Sequence, residues 1–382
     1  MDYTIYEYSL LIALPLMLFI GIYFLSGKTP EKSIFENYLR SRRIMGIALL
    51  LLAANYSVHF FFGIRFKNAN AAILMNLSTY FLCYWLFSSA LTTLLDRFYI
   101  TPRRLRTHLG LWVLFSVLSG AVLFLLPEGT VQKAGLAVMA IWLVGYGLFL
   151  VRRLLLVYYK AVRIFNDTHS DDIGSYIKWM SVFTYWAVIF GVGCGLLTFL
   201  PDGYIYIWIL SSIPFYIYLF HCYLNYLLFY EQVERAMESE ITSEEVILCE
   251  TAEQEEIGKH DKPSYHTVIA EKIKSWIGSD GYVRPGLTIK ELSEILHTNR
   301  TYLSEYIKTT YNMSFRDWIT GLRMEYAKRE MMRHPEWTID EISKASGFLS
   351  SSYFMATFKE KEGHSPAKWR KSKAGNATVG QD

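Results

Sequence analysis

The sequence predicts an all-α chain: seven apolar helices of bilayer-crossing length, then a charged soluble part made of two helix-turn-helix modules joined by a helix. Three observations predict it. Seven stretches of roughly 17–25 apolar residues, the length that a bilayer crossing needs, fill residues 1–229. A short motif occurs as Thr288-Ile-Lys-Glu-Leu-Ser-Glu294 and again fifty positions later as Thr338-Ile-Asp-Glu-Ile-Ser-Lys344, the mark of one supersecondary unit used twice. Charge is also partitioned: residues 230–262 hold eleven acidic against three basic residues, and the chain from Pro263 onward holds eighteen Lys and Arg against fourteen Asp and Glu. The expected organisation is a seven-span sensor part over 1–229, an acidic juxtamembrane helix and linker over 230–262, a double helix-turn-helix domain over 263–373 and a flexible tail over 374–382.

The apolar stretches fall at about Tyr8–Leu25, Ile44–Ile64, Ala71–Leu95, Leu109–Leu126, Ala134–Val151, Trp179–Leu200 and Tyr204–Phe229. The first does not read as a cleaved signal peptide, because Asp2 and Glu7 stand where a basic region belongs and no small-x-small site follows. Loops after the first, third and fifth stretches carry fourteen Lys and Arg, whereas the N-terminal tail and the remaining loops carry Arg65, Lys67 and Lys133. Basic residues favour the cytoplasmic side. The N-terminus is therefore expected outside an inner membrane, and the C-terminal part in the cytosol.

No Asp or Glu lies well inside a stretch, which argues against a proton relay or an ion-coupled pump. Asn55 and His59 share a face of the second stretch, with Asn76 at similar depth on the third, and His221 and Asn225 share a face of the seventh. Two readings stand for Asn55, His59 and Asn76: hydrogen bonds between neighbouring helices, or the lining of an outward-facing pocket for an unidentified small-molecule or membrane signal. The run Gly191-x-Gly193-x-Gly195 follows no strand, so it marks close helix contact rather than phosphate binding. Four cysteines without a C-x-x-C spacing indicate neither a disulfide framework nor a zinc site. No catalytic residue, metal or cofactor is expected.

After Phe229 the seventh helix is expected to continue with Tyr230, Val233, Met237 and Ile241 at helical spacing. Glu244–Lys262 reads as a solvated acidic connector. A preliminary helix over Tyr265–Ile277 follows, then the breakers Asp280-Gly281 and Pro285-Gly286. Each copy of the repeated motif opens with Thr and carries Glu three residues on, the capping-box pattern of a helix start. In the first module Asn299 caps a second helix over Arg300–Tyr311; a long helix over Phe315–Arg333 stops before Pro335; the second module turns at Gly347-Phe348 and resumes over Ser351–Glu362. A helix, a turn and a helix is the geometry that lays a helix in a DNA major groove.

At this point the residues resemble the AraC/XylS family of transcription regulators, over about Tyr265–Lys371 and not over the apolar part. The resemblance is carried by Tyr302-Leu303-Ser304, Leu322-Arg323-x-x-x-Ala327-Lys328, Gly347-Phe348-x-x-x-Ser352-Tyr353-Phe354-x-x-x-Phe358-Lys359 and Gly363-x-Ser365-Pro366-x-x-Trp369-Arg370. It implies two helix-turn-helix modules on a rigid helix that bind promoter DNA, and the whole chain is similar to membrane-anchored members of that family. It departs from the pattern at Glu305 and Ala356, where the family often has Arg, and at His297 and Asn312, where it has Gly.

Exposed residues at the starts of the second helices are the expected base readers: Arg300, Thr301, Ser304 and Glu305 beside the cap Asn299, then Ser351, Ser352 and Met355. Arg reads guanine bidentately and Glu accepts from cytosine, whereas Lys308, Lys359, Lys361 and Arg370 suit phosphates, which position without specifying. The expected partners are double-stranded promoter DNA, membrane lipid, RNA polymerase and a second copy of the chain. The alternative is a transporter or other membrane protein carrying a regulatory or protein-interaction module. It finds no intramembrane acid, HExxH, GxSxG or Walker loop in this sequence.

Overall fold

The computed structural model describes residues 3–172, 174–197, 204–254 and 262–378. Among them regular structure is helical, with one isolated antiparallel bridge between His169 and Thr288. The chain forms two compact units: Met1–Ala161 with Tyr176–Glu234, and Val162–Ser175 with Arg235–Asp382. The division does not follow chain order, because a short stretch between two apolar helices belongs with the C-terminal unit.

The first unit is built from α1 (Tyr3–Ser26), α2 (Glu36–Phe62), the one-turn α3 (Ile64–Lys67), α4 (Ala69–Thr93), α5 (Pro102–Leu125) and most of α6 (Thr130–Thr168), α7 (Gly174–Leu197) and the first part of α8 (Ile205–Gln254). Six helices among the described residues are long and apolar enough to cross a membrane. The seventh expected span, Trp179–Leu200, falls on α7, and its last residues lie outside the described ones. Small residues let helices approach: a Cβ built on Gly46 of α2 would lie 3.0 Å from the Gly21 carbonyl of α1. Aromatic stacking fills the interior, Phe81 lying 4.5 Å from Phe115 and 4.1 Å from Tyr146 between ring centres. At the far end of this unit, buried Glu234 accepts from Arg97 and, at 2.7 Å, from Tyr230.

Helix α8 runs to Gln254, past the expected end at Ile241. The stretch expected as a solvated connector is thus helical as far as the description reaches. Its composition explains this, since Glu, Leu, Ala and Gln are good helix formers and no Gly or Pro interrupts before Gly258.

In the second unit, α9 (Lys262–Gly278) precedes α10 (Ile289–Ile295) and α11 (Arg300–Tyr311) of the first module. Then come α12 (Phe315–Arg333), α13 (Ile339–Ala345) and α14 (Ser351–Glu362) of the second module, and α15 (Pro366–Thr378), which carries helix into the expected tail. The apolar stripe of α12 is shared between two cores. Its first half gives Phe315, Trp318 and Ile319 to a cluster with Ile269, Leu292 and Leu303. Its second half gives Met324, Ala327 and Met331 to a cluster with Ile342, Phe354 and Phe358. One helix that is buried against both modules makes them a rigid pair, because neither core can reposition without exposing its share of α12.

Candidate nucleic-acid interface

Both module starts are capped as their sequence requires. The Thr288 hydroxyl accepts from the Glu291 amide while the Glu291 carboxylate accepts from the Thr288 amide at 2.9 Å, and Thr338 and Glu341 repeat the arrangement. Each second helix has its own side-chain cap, Asn299 accepting from the Thr301 amide at 2.7 Å and Ser350 from the Tyr353 amide at 3.3 Å. Each ends on a left-handed residue, Asn312 (φ 52°) and Gly363 (φ 75°). Asn tolerates that region better than most residues, which accounts for its place where the resemblance has Gly.

Apolar burial decides which face of each second helix is left over. In α11, Leu303, Tyr306 and Ile307 are buried, leaving Thr301, Glu305 and Lys308 exposed with Arg300 and Ser304 half-buried beside them. In α14, Phe354, Thr357 and Phe358 are buried, leaving Ser352, Met355 and Lys359 exposed and Ser351 half-buried. Residues three, four and seven apart share a helix face, so each set forms one stripe. A helix offering a polar stripe beside a packed back is what a groove admits.

Residues 292–372 match the family model described as a helix-turn-helix domain. This stretch is an AraC-type domain. It is 38% identical over 84 residues to the HTH-type transcriptional regulator YobQ of Bacillus subtilis, covering 22% of this chain and 34% of that protein. It is 32% identical over 85 residues to the Msm operon regulatory protein of Streptococcus mutans, covering 22% and 30%. Regulatory protein PocR of Salmonella typhimurium is 25% identical over 126 residues, covering 33% and 41%. The chain thus spans about a third of the length of these relatives. No solved structure matches it.

Within the AraC-type domain, several side chains named from sequence are already engaged. Ser351 donates to Asp340, and Asn299 is spent on capping. Arg370, expected on phosphate, instead donates to the Trp337 carbonyl at 2.6 Å and is half-buried, tying α15 to the turn before α13. Lys308 pairs with Asp167 at 2.8 Å.

Arg323 carries a role that its place in a motif string did not disclose. It is fully buried on α12. Its Nε donates to the Tyr282 carbonyl at 2.9 Å, its Nη2 to the Arg284 carbonyl at 2.7 Å and to the Ser170 hydroxyl at 3.2 Å, and its Nη1 reaches Asp171 at 3.3 Å. Burial lowers the Arg323 pKa and raises that of Asp171, each offset by the other's charge. Arg323 also lies over the Phe348 ring of the second module, 5.8 Å from its centre. No periodicity marks such a group; only an arginine on the buried side of an amphipathic helix could have drawn attention to it.

The expected signal pocket divides in the first unit. His59 and Asn76 bond to each other at 3.0 Å and, with Tyr6 and Arg65, line a cavity of about 40 Å³. Asn55 is not among its lining residues. Its amide is turned to Thr79 at 3.1 Å and to the Met75 carbonyl at 3.4 Å, since a buried amide in an apolar bundle must find partners on the next helix. A larger cavity of about 120 Å³ was not anticipated; Tyr84, Phe87, Phe183, Phe215 and Trp208 are among its lining. Three polar groups of its lining are turned to backbone, Tyr84 donating to the Gly191 carbonyl, Thr184 to Met180 and Ser212 to Ile209. Among the described residues no cluster of His, Cys, Asp or Glu could hold a metal ion.

Proposed function

We propose that the chain is a membrane-embedded one-component transcription regulator, whose first unit crosses the bilayer and responds to a signal and whose AraC-type domain binds promoter DNA sequence-specifically in the cytosol. One observation carries the DNA-binding part: a capped helix-turn-helix occurs twice on a single shared helix, with α11 and α14 each leaving a polar stripe uncovered. Names of relatives such as the Msm operon regulatory protein support regulation of transcription. Six bilayer-length helices support the membrane part, and the loop charges support an outer N-terminus and an inner C-terminus. Arg300, Thr301, Ser304 and Glu305, with Ser352 and Met355, are the proposed base readers; Lys308 and Lys359 are the proposed phosphate contacts. RNA polymerase, membrane lipid and a second copy of the chain are the proposed partners.

For the signal, the larger cavity favours a neutral apolar molecule, because aliphatic and aromatic side chains dominate its lining and Tyr84, Thr184 and Ser212 are turned to backbone carbonyls. Its volume is near the ~150 Å³ at which a dry apolar cavity accepts a single aromatic ring. Filling it with Ala187→Phe should abolish the reporter-gene response while leaving DNA binding by the full chain intact.

The test of the main proposal is footprinting of promoter DNA by the full chain in detergent. Two protected major-groove segments about one turn, ~34 Å, apart are expected on one DNA face, with affinity falling steeply as salt rises. A single protected segment would remove the second module from base reading, and salt-independent or absent binding would remove the DNA-binding role. Reporter fusions at Gly129 and Asp167 should read external and cytosolic respectively.

A further inference from the structure

The second unit includes residues 162–175, which join α6 to α7. This segment sits on the first helix-turn-helix module through three kinds of contact. Main chain meets main chain: the Ser170 amide donates to the Leu287 carbonyl at 3.0 Å, and His169 forms an antiparallel bridge with Thr288, the cap of α10. A buried hydrogen bond follows, from Arg323 to the Ser170 hydroxyl, with both residues fully buried. Three aspartates face three cations: Asp167 with Lys308 at 2.8 Å, Asp172 with Arg316 at 2.7 Å and Asp171 with Arg323 at 3.3 Å.

We propose that this face of the first module, formed by Leu287, Thr288, Lys308, Arg316 and Arg323, is a docking site for an acidic segment, occupied by the chain's own residues 167–172 in competition with DNA. The inference rests on the DNA-binding reading above. Lys308 lies four residues after Ser304 and seven after Thr301, on the exposed stripe of α11. A carboxylate at 2.8 Å takes the place a phosphate oxygen would occupy, and one ammonium cannot neutralise both. The buried part of the seat, Arg323 with Ser170 and the paired backbone, holds the segment while it is docked and must part before the carboxylate can leave Lys308. Its exposed edge, Asp167 on Lys308, is where DNA competes. Because Asp167 lies on the last turn of α6, the long helix whose earlier residues belong to the first unit, a signal that shifts or frays that helix end withdraws the carboxylate and frees Lys308.

The full chain in detergent is titrated with promoter DNA at several salt concentrations. Asp167→Asn should bind about threefold more tightly, the worth of one exposed ion pair. Its plot of log affinity against log salt should steepen by about 0.9, the signature of one more neutralised phosphate. The gain should vanish in Asp167→Asn combined with Lys308→Ala. Independently, His169→Cys with Thr288→Cys, in a background with Cys83, Cys194, Cys222 and Cys249 changed to serine, should crosslink on oxidation. The locked chain should bind DNA more weakly until reductant is added. If Asp167→Asn keeps the parent's affinity and salt slope, or if the locked and reduced chains bind alike, the competition is overturned while DNA binding stands. If the parent chain shows no salt-dependent DNA binding, the reading beneath it falls and the competition falls with it.

Discussion

The two helix-turn-helix modules are near copies in sequence and in local geometry, yet they sit in different surroundings. Both have a capping box, a seven-residue first helix, a twelve-residue second helix and a left-handed stop. The turn between helices separates them. In the first module it passes through His297 at φ 49°; in the second it passes through Gly347 at φ 82°, where an added Cβ would lie 2.1 Å from the Val283 carbonyl. Residues 167–172 occupy the first module's flank, whereas the second module's turn is pressed onto the segment following α9. Local signals therefore reproduce local structure faithfully, but what a module can do depends on what its neighbours leave uncovered.

The comparison can be broken most forcefully along α12, at Arg323 beside the first module and Lys328 beside the second. Arg323→Ala removes four bonds donated by a fully buried guanidinium, one of them to half-buried Asp171, and should cost about 3–5 kcal/mol. Lys328→Ala, which releases Glu325 and Glu362 in the second module, should cost about 1 kcal/mol. Hydrogen exchange over residues 263–378 in the full chain would measure both, and equal costs would erase the asymmetry. At the turns, Gly347→Ala should destabilise by roughly 2–4 kcal/mol, from left-handed strain and backbone overlap. His297→Gly should be neutral or stabilise by up to about 1 kcal/mol, because glycine adopts the left-handed turn at φ 49° without a Cβ penalty. A melting temperature unmoved by Gly347→Ala would show that the second module does not rest on Val283.

On DNA, Arg300→Ala should lose about 1–3 kcal/mol and relax preference at one base pair. Ser352→Ala should lose less, about 1 kcal/mol, as a single neutral hydrogen bond does. Competition binding with operator variants would decide, and an unaltered preference in Arg300→Ala would move the recognition surface elsewhere.

The docked segment adds a pH test. Burial, then the charge of nearby Arg300, depress the pKa of His169 from 6.5 to about 4, against a smaller opposing pull from Glu291. A histidine held neutral stabilises docking fully above its free pKa, and that share fades as pH falls from 6.5 toward 4. Protection of the Ser170 amide should therefore drop by roughly 1 kcal/mol between pH 7 and pH 5.5, and His169→Gln should lose that dependence. Smallest are the caps. Thr288→Ala and Thr338→Ala should each cost about 1 kcal/mol, and a matching loss at both would confirm that the repeat is equivalent at that level.

Most of the helical framework was legible. Apolar runs, capping boxes and helix stops are local, so the bounds of α11, α12 and α14 follow from residues within or beside each helix. The end of α8 was less so: acidic composition reads as a solvated connector, yet the same Glu, Leu and Ala residues favour helix, and helix prevailed to Gln254. The polar stripe of each second helix was legible as the complement of the buried face, because 3.6-residue periodicity identifies both sides at once. Arg370 and Asn55 were not, since a lone polar side chain gives no sign of whether water, phosphate or a carbonyl on another helix will take it.

By itself the sequence determined an all-α chain, the helices from α9 to α14 with the caps Thr288, Asn299 and Thr338, and which face of each second helix stays polar; α15 was not foreseen. The physical reason is that these depend on contacts a few residues apart. Only the tertiary structure decided that residues 162–175 belong with the C-terminal unit, that Arg323 is its buried tie, and that Lys308 already holds a carboxylate. Those pairings join residues 141 to 153 positions apart, and chain connectivity over such separations leaves no periodic trace.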